Sequence, residues 1–440
     1  MTKLNTNQAW ELIFDDYNVL DKIDAEGKFE IDAKQIKKYR EPRLMAKFDC
    51  FQNLPAVFKK NKINILPTSR GSYVLGRFKL FQDLGDFPLD TLKINKAYVP
   101  SLETVDISNI TSEAMAINVM SLSSILSDFL GVEPNYQTIS GRMGSGGFNF
   151  RVDRYKDTPI NIRVENAQIE IDGGFENKES VILLEAKNVF HADFNIRQLY
   201  FPYRTWSNKV NKPIRLIFMV YFNQIYRLLE YEFTDINSYS SIKFIKEKLY
   251  SLDNTYITPD DLKNVYRDTK VIHTDDMNFK TVAPFPQADD FTRVINLIEV
   301  LGKRDLPVDE ITEIMGFTPR QTDYYYNAGL YLGLFNKYSW IDRDENKIIK
   351  VELTDLGREL NKMNYKDRQL KLVSLLLEHK IFNSLFFKSL ITGKLPNKNE
   401  IIDEMIKYNV CSRGSVATRR SQTVLAWLNW IFSLVRTSNC

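Results

Sequence analysis

Cysteine and histidine are scarce: Cys50, Cys411 and Cys440 lie far apart, and His191, His273 and His379 stand alone. Neither set has the paired spacing of a zinc site or the density of a disulfide framework, and so few thiols suit a reducing cytoplasm. Long apolar runs are missing as well. Stretches such as LIFMVYF, Leu216–Phe222, fall far below the roughly 20 residues of a membrane helix, so no membrane partner is expected. The opening MTKLNTNQAWELIFDDY has no basic region leading into an apolar one, and no secretory signal is expected. An excess of one charge is also lacking. With 59 Lys and Arg against 56 Asp and Glu, any nucleic-acid-binding surface must be local. No fixed-period repeat and no low-complexity tract is present.

What is there is ordinary globular material, 440 residues, enough for roughly two to four domains. Residues 1–110 read as a mixed α+β segment with helical stretches near Gln8–Asp16 and Ala33–Tyr39 and a strand near Ser72–Phe81. Its Arg40, Arg43, Lys59, Lys60 and Arg70 are chemically able to contact phosphates, although solvated surface is the ordinary reading of such side chains. Residues 111–250 are more regular. One helix is expected over 112–131, capped by Thr111 or Ser112 and stopped by Gly131. Three strands follow: GFNFRVD, PINIRVENAQIEIDGGF and VILLEAK. A helix from near Asp193 is expected to kink or break at Pro202. PIRLIFMVYF and IYRLLEYEF then read as buried strands. Residues 251–289 form a connection, 290–361 read as helix, helix-turn-helix and charged hairpin, and 362–440 as helices.

The stretch VILLEAK, Val181–Lys187, poses a physical problem. Its four leading apolar residues suit a strand buried on both faces, yet it ends in Glu185 and Lys187, whose charges need a partner, a metal or a catalytic task there. If the hairpin is centred between Lys178 and Glu179, opposed residue numbers sum to 357, which sets Asp172 opposite Glu185 and Glu170 opposite Lys187. Opposed side chains on adjacent antiparallel strands lie about 5 Å apart, near enough for two carboxylates to hold one divalent cation. Magnesium suits such a pair, because it takes few carboxylates and completes its shell with water and phosphate oxygen.

Asp172, followed thirteen positions later by Glu185-Ala186-Lys187 within an α-β-β-β-α-β order, resembles the PD-(D/E)xK nucleases typified by type II restriction endonucleases. The resemblance spans about 110–235; Ile171 stands where the family's name has proline. It implies an α/β restriction-endonuclease-like core, with Asp172 and Glu185 as Mg²⁺ ligands and Lys187 serving the attacking water. Glu113 is the candidate for an assisting helix glutamate, and Gln198 resembles a helix glutamine that touches phosphate or water in some members.

The glycine-rich GRMGSGGF, Gly141–Phe148, has no Gly-Lys-Ser/Thr ending and opens no helix, so it is no nucleotide loop. It reads as a hairpin loop with Arg142 and Ser145 reaching toward a DNA backbone. The 290–361 segment resembles a winged helix-turn-helix whose second helix begins TPRQTDYYYN, placing Arg320, Gln321 and Tyr324 where bases are read. SRGSVATRRSQTVLAW looks like a second such helix, with Arg419, Arg420 and Gln422 in its first turns. The expected activity is Mg²⁺-dependent, sequence-specific cleavage of double-stranded DNA, with a cognate DNA methyltransferase in the same system and a homodimer among the assemblies allowed. The alternatives are a modification-dependent nuclease and a non-enzymatic winged-helix regulator on a degenerate nuclease fold.

Overall fold

Val181–Leu184 are buried on both faces because their strand, Val181–Lys187, lies inside a sheet, antiparallel to Gln168–Glu176 and parallel to Ile214–Phe222. A run without polar alternation has no face to offer water, so only an interior position suits it. The computed structural model describes residues 4–85, 87, 93–107, 109–278, 283–341 and 347–435. Its architecture is mixed α/β, with one large mixed sheet and a helical C-terminal region. The sheet has seven strands in the order Ile94–Lys96, Ile242–Ser251, Ile225–Phe233, Ile214–Phe222, Val181–Lys187, Gln168–Glu176 and Tyr136–Gly144. Helix Arg197–Trp206 makes the crossover between the two parallel central strands and packs on Val181–Lys187 and Gln168–Glu176.

Several local expectations are corrected. The helix expected over 112–131 is two helices, Glu113–Leu122 and Ile125–Leu130, because Ser123 is extended and its hydroxyl donates back to the Met120 carbonyl. Ser112 is the cap, accepting from the Met115 N–H, and Gly131 closes the second helix in the left-handed region. The long strand expected from Pro159 to Phe175 is two, Ile160–Glu165 and Gln168–Glu176, divided at Asn166 with φ 54°. Gly147–Val152 leaves the main sheet and pairs with Ile160–Glu165, so Tyr136–Gly144 takes its place beside the motif strands. GRMGSGGF is therefore no hairpin loop but the junction between two sheets. Asp193–Asn195 is a short strand on Phe81–Asp83, and the helix that follows runs past Pro202 to Trp206.

The chain forms two compact units. The first joins residues 1–87 to 112–220 and 227–248. Its N-terminal layer has a core of its own: on helix Thr6–Asp16 the residues Ala9, Trp10, Ile13 and Phe14 recur at helical spacing and are buried. Trp10 meets Phe58 edge-on at 4.7 Å and donates its indole N–H to the Met45 carbonyl at 2.9 Å. Full burial of a side chain such as Phe58 contributes about 2–3 kcal/mol.

The second unit comprises 88–111, 221–226 and 249–440. Helices Phe291–Leu301, Val308–Ile314 and Pro319–Tyr331 precede the antiparallel strands Phe335–Ile341 and Lys347–Leu353, joined by Leu306–Pro307 as a third strand. The turn of this charged hairpin, 342–346, and residues 279–282 of the connection lie outside the described residues. Gly329 is required by packing, since a Cβ there would stand 1.9 Å from the Phe335 ring. Among the described residues five helices follow, the first being Asp355–Lys362 and the last Ser415–Ser433.

Candidate active site

The site begins where a strand ladder stops. Val181 pairs with Glu176, Ile182 with Phe175, Leu183 with Gly174 and Leu184 with Gly173, the register in which residue numbers sum to 357. Close approach by Tyr136–Gly144 explains one glycine, since a Cβ on Gly174 would lie 2.6 Å from the Ile139 Cβ. Beyond Leu184 a side chain replaces the backbone partner: Asp172 Oδ2 accepts the Ala186 N–H at 2.9 Å. Glu170 turns away from Lys187 and holds Arg142, its register partner on the next strand, at 3.0 Å.

Glu185 is 7% exposed, and its Oε1 accepts from Lys187 Nζ at 2.6 Å and from Gln198 Nε2 at 2.5 Å. Burial pushes its carboxyl up to about 8; the Lys187 charge opposes the rise and the charges of Asp172 and Asp49 add to it. For Lys187, burial favours the neutral amine, but Glu185, Asp49, Glu113 and Asp172 outweigh it and hold the side chain protonated. Gln198 is buried rather than solvated, with its Oε1 unpartnered among the described residues. Its helix starts immediately after the short Asp193–Asn195 strand, which aims the first turn at the motif.

Asp49 is a site residue that the sequence did not disclose. Backbone and side-chain bonds bring it in: Asn195 donates its N–H to the Asp49 carbonyl at 2.8 Å and its side-chain amide to Phe48 O at 3.1 Å, while the Phe51 N–H meets Asp193 Oδ1 at 2.7 Å. Asp49 Oδ1 is buried without a hydrogen-bond partner among the described residues. Burial raises its carboxyl, yet the charges of Lys187, Lys47 and Arg197 prevail and lower it. No motif or periodicity marks the stretch around Asp49.

Asp172, Glu185, Lys187, Gln198, Glu113 and Asp49 share one cleft of about 760 Å³ within the first unit. Arg142 lines it as well. Ser145 does not: it is 3% exposed, its hydroxyl donates to the Gly146 carbonyl and its own carbonyl accepts from Thr205, so it faces the interior instead of a ligand.

The remaining candidates lie in the second unit. Arg320 is exposed and donates to the Tyr324 hydroxyl at 2.5 Å. Gln321 is occupied by a capping box, accepting from the Thr318 N–H at 2.9 Å. Arg419 and Gln422 are exposed, whereas Arg420 turns inward, donating to the Val410 carbonyl at 2.8 Å and lying over the Phe285 ring at 5.4 Å. These contacts tie Arg420 to its own unit.

Among the described residues no group of three or more His, Cys, Asp or Glu side chains is arranged to hold a metal. The carboxylates that could hold one are the pair Asp172 and Glu185. One oxygen of each is engaged by the protein, so Asp172 Oδ1 and Glu185 Oε2 are the oxygens that a cation would use. That supply matches an ion that keeps most of its water.

Three consecutive stretches match families of unassigned role: 7–75 matches Domain of unknown function (DUF6996), 76–251 Domain of unknown function (DUF6997) and 293–436 Domain of unknown function (DUF7226). No curated protein and no solved structure matches the chain. The cleft thus draws side chains from two of these stretches, Asp49 from the first and the motif from the second.

Proposed function

We propose that the chain is a Mg²⁺-dependent, sequence-specific endonuclease that hydrolyses phosphodiester bonds of double-stranded DNA, built on a PD-(D/E)xK core of restriction type. The observation that carries this reading is the convergence of Asp172, Glu185 and Lys187 at the ends of adjacent strands, with Gln198 bonded to Glu185, on the floor of an open cleft. Asp172 and Glu185 would hold the ion, which when bound supplies a Lewis acid for the phosphate and lowers the pKa of water.

The chain's own groups have separable tasks. Asp172 ties the end of one strand to Ala186 and so sets the spacing between the two carboxylates. Lys187, kept protonated by its neighbours, orients a water and neutralises charge developing on phosphate rather than removing a proton at rest. Gln198 holds the Glu185 rotamer and offers its buried Oε1 as an acceptor. In the second unit, the helix order ending in an antiparallel hairpin supports a winged helix-turn-helix that reads DNA through Arg320 and Tyr324, with Arg419 and Gln422 on a second helix. A host carrying such an enzyme needs a DNA methyltransferase to shield its own sites. No helix among the described residues is long and apolar enough to cross a membrane.

The test is cleavage of plasmid and genomic duplex DNA by the purified full-length protein. Discrete fragments with Mg²⁺, none in EDTA and none from Lys187→Ala are expected. Metal-independent cutting, or no cutting of any unmethylated or methylated duplex, removes the reading.

A further inference from the structure

The first 75 residues supply one wall of the cleft, and that wall is basic. Lys34 and Lys37 come from helix Ala33–Lys37, Arg43 from helix Pro42–Ala46, and Arg70 from the turn between strands Asn64–Pro67 and Ser72–Gly76. All four side chains are exposed, and none makes an ion pair among the described residues. Two other cations of the cleft are engaged by carboxylates: Arg142 holds Glu170 at 3.0 Å, and Lys47 lies 3.9 Å from Asp49.

Unpaired like charges gathered on one face repel one another, and a bound polyanion relieves that repulsion. The layer carrying them does not need them for its own stability, since its core is apolar and centred on Trp10 and Phe58. The separation of charge is also directional. Asp172 and Glu185 lie where a cation would bind, whereas the wall, which also carries Glu41 and Asp49, has an excess of ammonium and guanidinium groups, where phosphates would run.

We propose that this N-terminal wall is a phosphate clamp, in which Lys34, Lys37, Arg43 and Arg70 grip the backbone of duplex DNA and hold it over Asp172 and Glu185. The choice of ligand rests on the nuclease reading above; the charge and its placement belong to a different part of the chain. Such contacts carry no sequence information, so the clamp contributes affinity and register while selectivity stays with other elements.

The experiment measures binding of full-length protein, in Ca²⁺ without Mg²⁺, to a duplex containing a cleavage site and to one lacking it, across a salt series. K34E/K37E and R43E/R70E are compared with K178E/K243E, which reverses two exposed lysines outside the cleft. Each clamp pair is expected to weaken both duplexes about tenfold or more and to flatten the slope of log affinity against log salt by about 0.9 for each phosphate no longer neutralised. Thermal unfolding of each variant confirms that these surface changes leave the fold intact. Unchanged affinity and slope, equal loss in the control pair, loss confined to the site-bearing duplex, or a wild type that binds no duplex overturns the clamp. Cleavage by the wild type separates the two claims: cutting with unimpaired clamp variants defeats the clamp alone, and clamp-dependent binding without cutting defeats the nuclease reading alone.

Discussion

Gln198 donates its side-chain N–H to Glu185 Oε1 at 2.5 Å while the other end of the same amide, Oε1, is buried without a protein partner among the described residues. The reverse orientation would set two acceptors against each other whenever Glu185 is ionised, so the arrangement fixes both side chains. Replacing Gln198 with Ala is expected to lower activity about 10–100-fold, the usual loss on removing a group that orients a metal-binding carboxylate. A Mg²⁺ titration of initial rates checks this: the loss should appear as a raised metal requirement, with duplex affinity in Ca²⁺ unchanged.

In the proposed nuclease, Lys187 contributes charge at the reacting centre and no contact to bases. Lys187→Ala is expected to abolish measurable cleavage and to leave site-specific duplex binding within about twofold of wild type. Single-turnover cleavage and gel-shift titration of the same preparation give the two numbers. A variant that cuts at the wild-type rate refutes the assignment.

In the proposed nuclease, Glu185 links metal binding to pH. Its carboxyl in the folded protein is raised to about 8 from an ordinary 4.5, chiefly by burial, with the charge of Asp172 adding and that of Lys187 opposing. A folded-state value above the unfolded one means that the native protein keeps an extra proton between them, so stability from this group is greatest below 4.5 and declines as pH rises through about 8. A divalent cation competes with that proton. The rise in Tm produced by Mg²⁺ is therefore expected to be larger above the shifted value than at pH 6, and scans with and without the ion across this range measure it. An equal rise at both ends of the range would show that Glu185 is no ligand.

In the second unit, Arg368 is 1% exposed and bonds Asn223 Oδ1 and Glu299 Oε1, each at 2.8 Å. Arg368→Ala is expected to cost about 3–5 kcal/mol, because it leaves the Glu299 carboxylate without its cation and takes from Asn223 Oδ1 one of two donors, the other being Gln369. Asn223 sits at the tip of the hairpin formed by Ile214–Phe222 and Ile225–Phe233, a tip that belongs to the second unit. Ending the chain near residue 288 removes Arg368, Gln369 and Glu299 from it, so such a fragment is expected to melt earlier than the full chain. Urea midpoints of the variant and the fragment check both statements.

Two adjacent arginines separate the proposed DNA contact from stability. Arg419→Ala is expected to weaken duplex binding and flatten its salt slope by about 0.9 with little change in Tm. Arg420→Ala is expected to lower stability by about 1–3 kcal/mol, since the Val410 carbonyl loses its donor, and to spare DNA binding. Paired thermal scans and salt-dependent titrations distinguish them.

The sequence by itself determined what depends on neighbours along the chain. An apolar run bounded by turns dictates an interior strand, and a tight hairpin sets its own register, so the pairing of Gly173 with Leu184 and the approach of Asp172 to the motif strand were legible in the order of residues alone. Tertiary structure alone decided what depends on distant segments and on where buried polar atoms find partners. Asp49 reaches the cleft because Asn195 and Asp193 bind the loop that carries it, contacts 142 to 147 positions apart in the chain. Ser145 and Arg420 read as outward-facing from composition, but each sits beside a carbonyl or donor that burial would otherwise leave unsatisfied, and they turn inward to meet it. The basic wall was ambiguous for the same reason. Lys34, Arg43 and Arg70 are unremarkable as spaced residues, and only the packing of the N-terminal layer sets them on one side of a cleft whose floor is acidic.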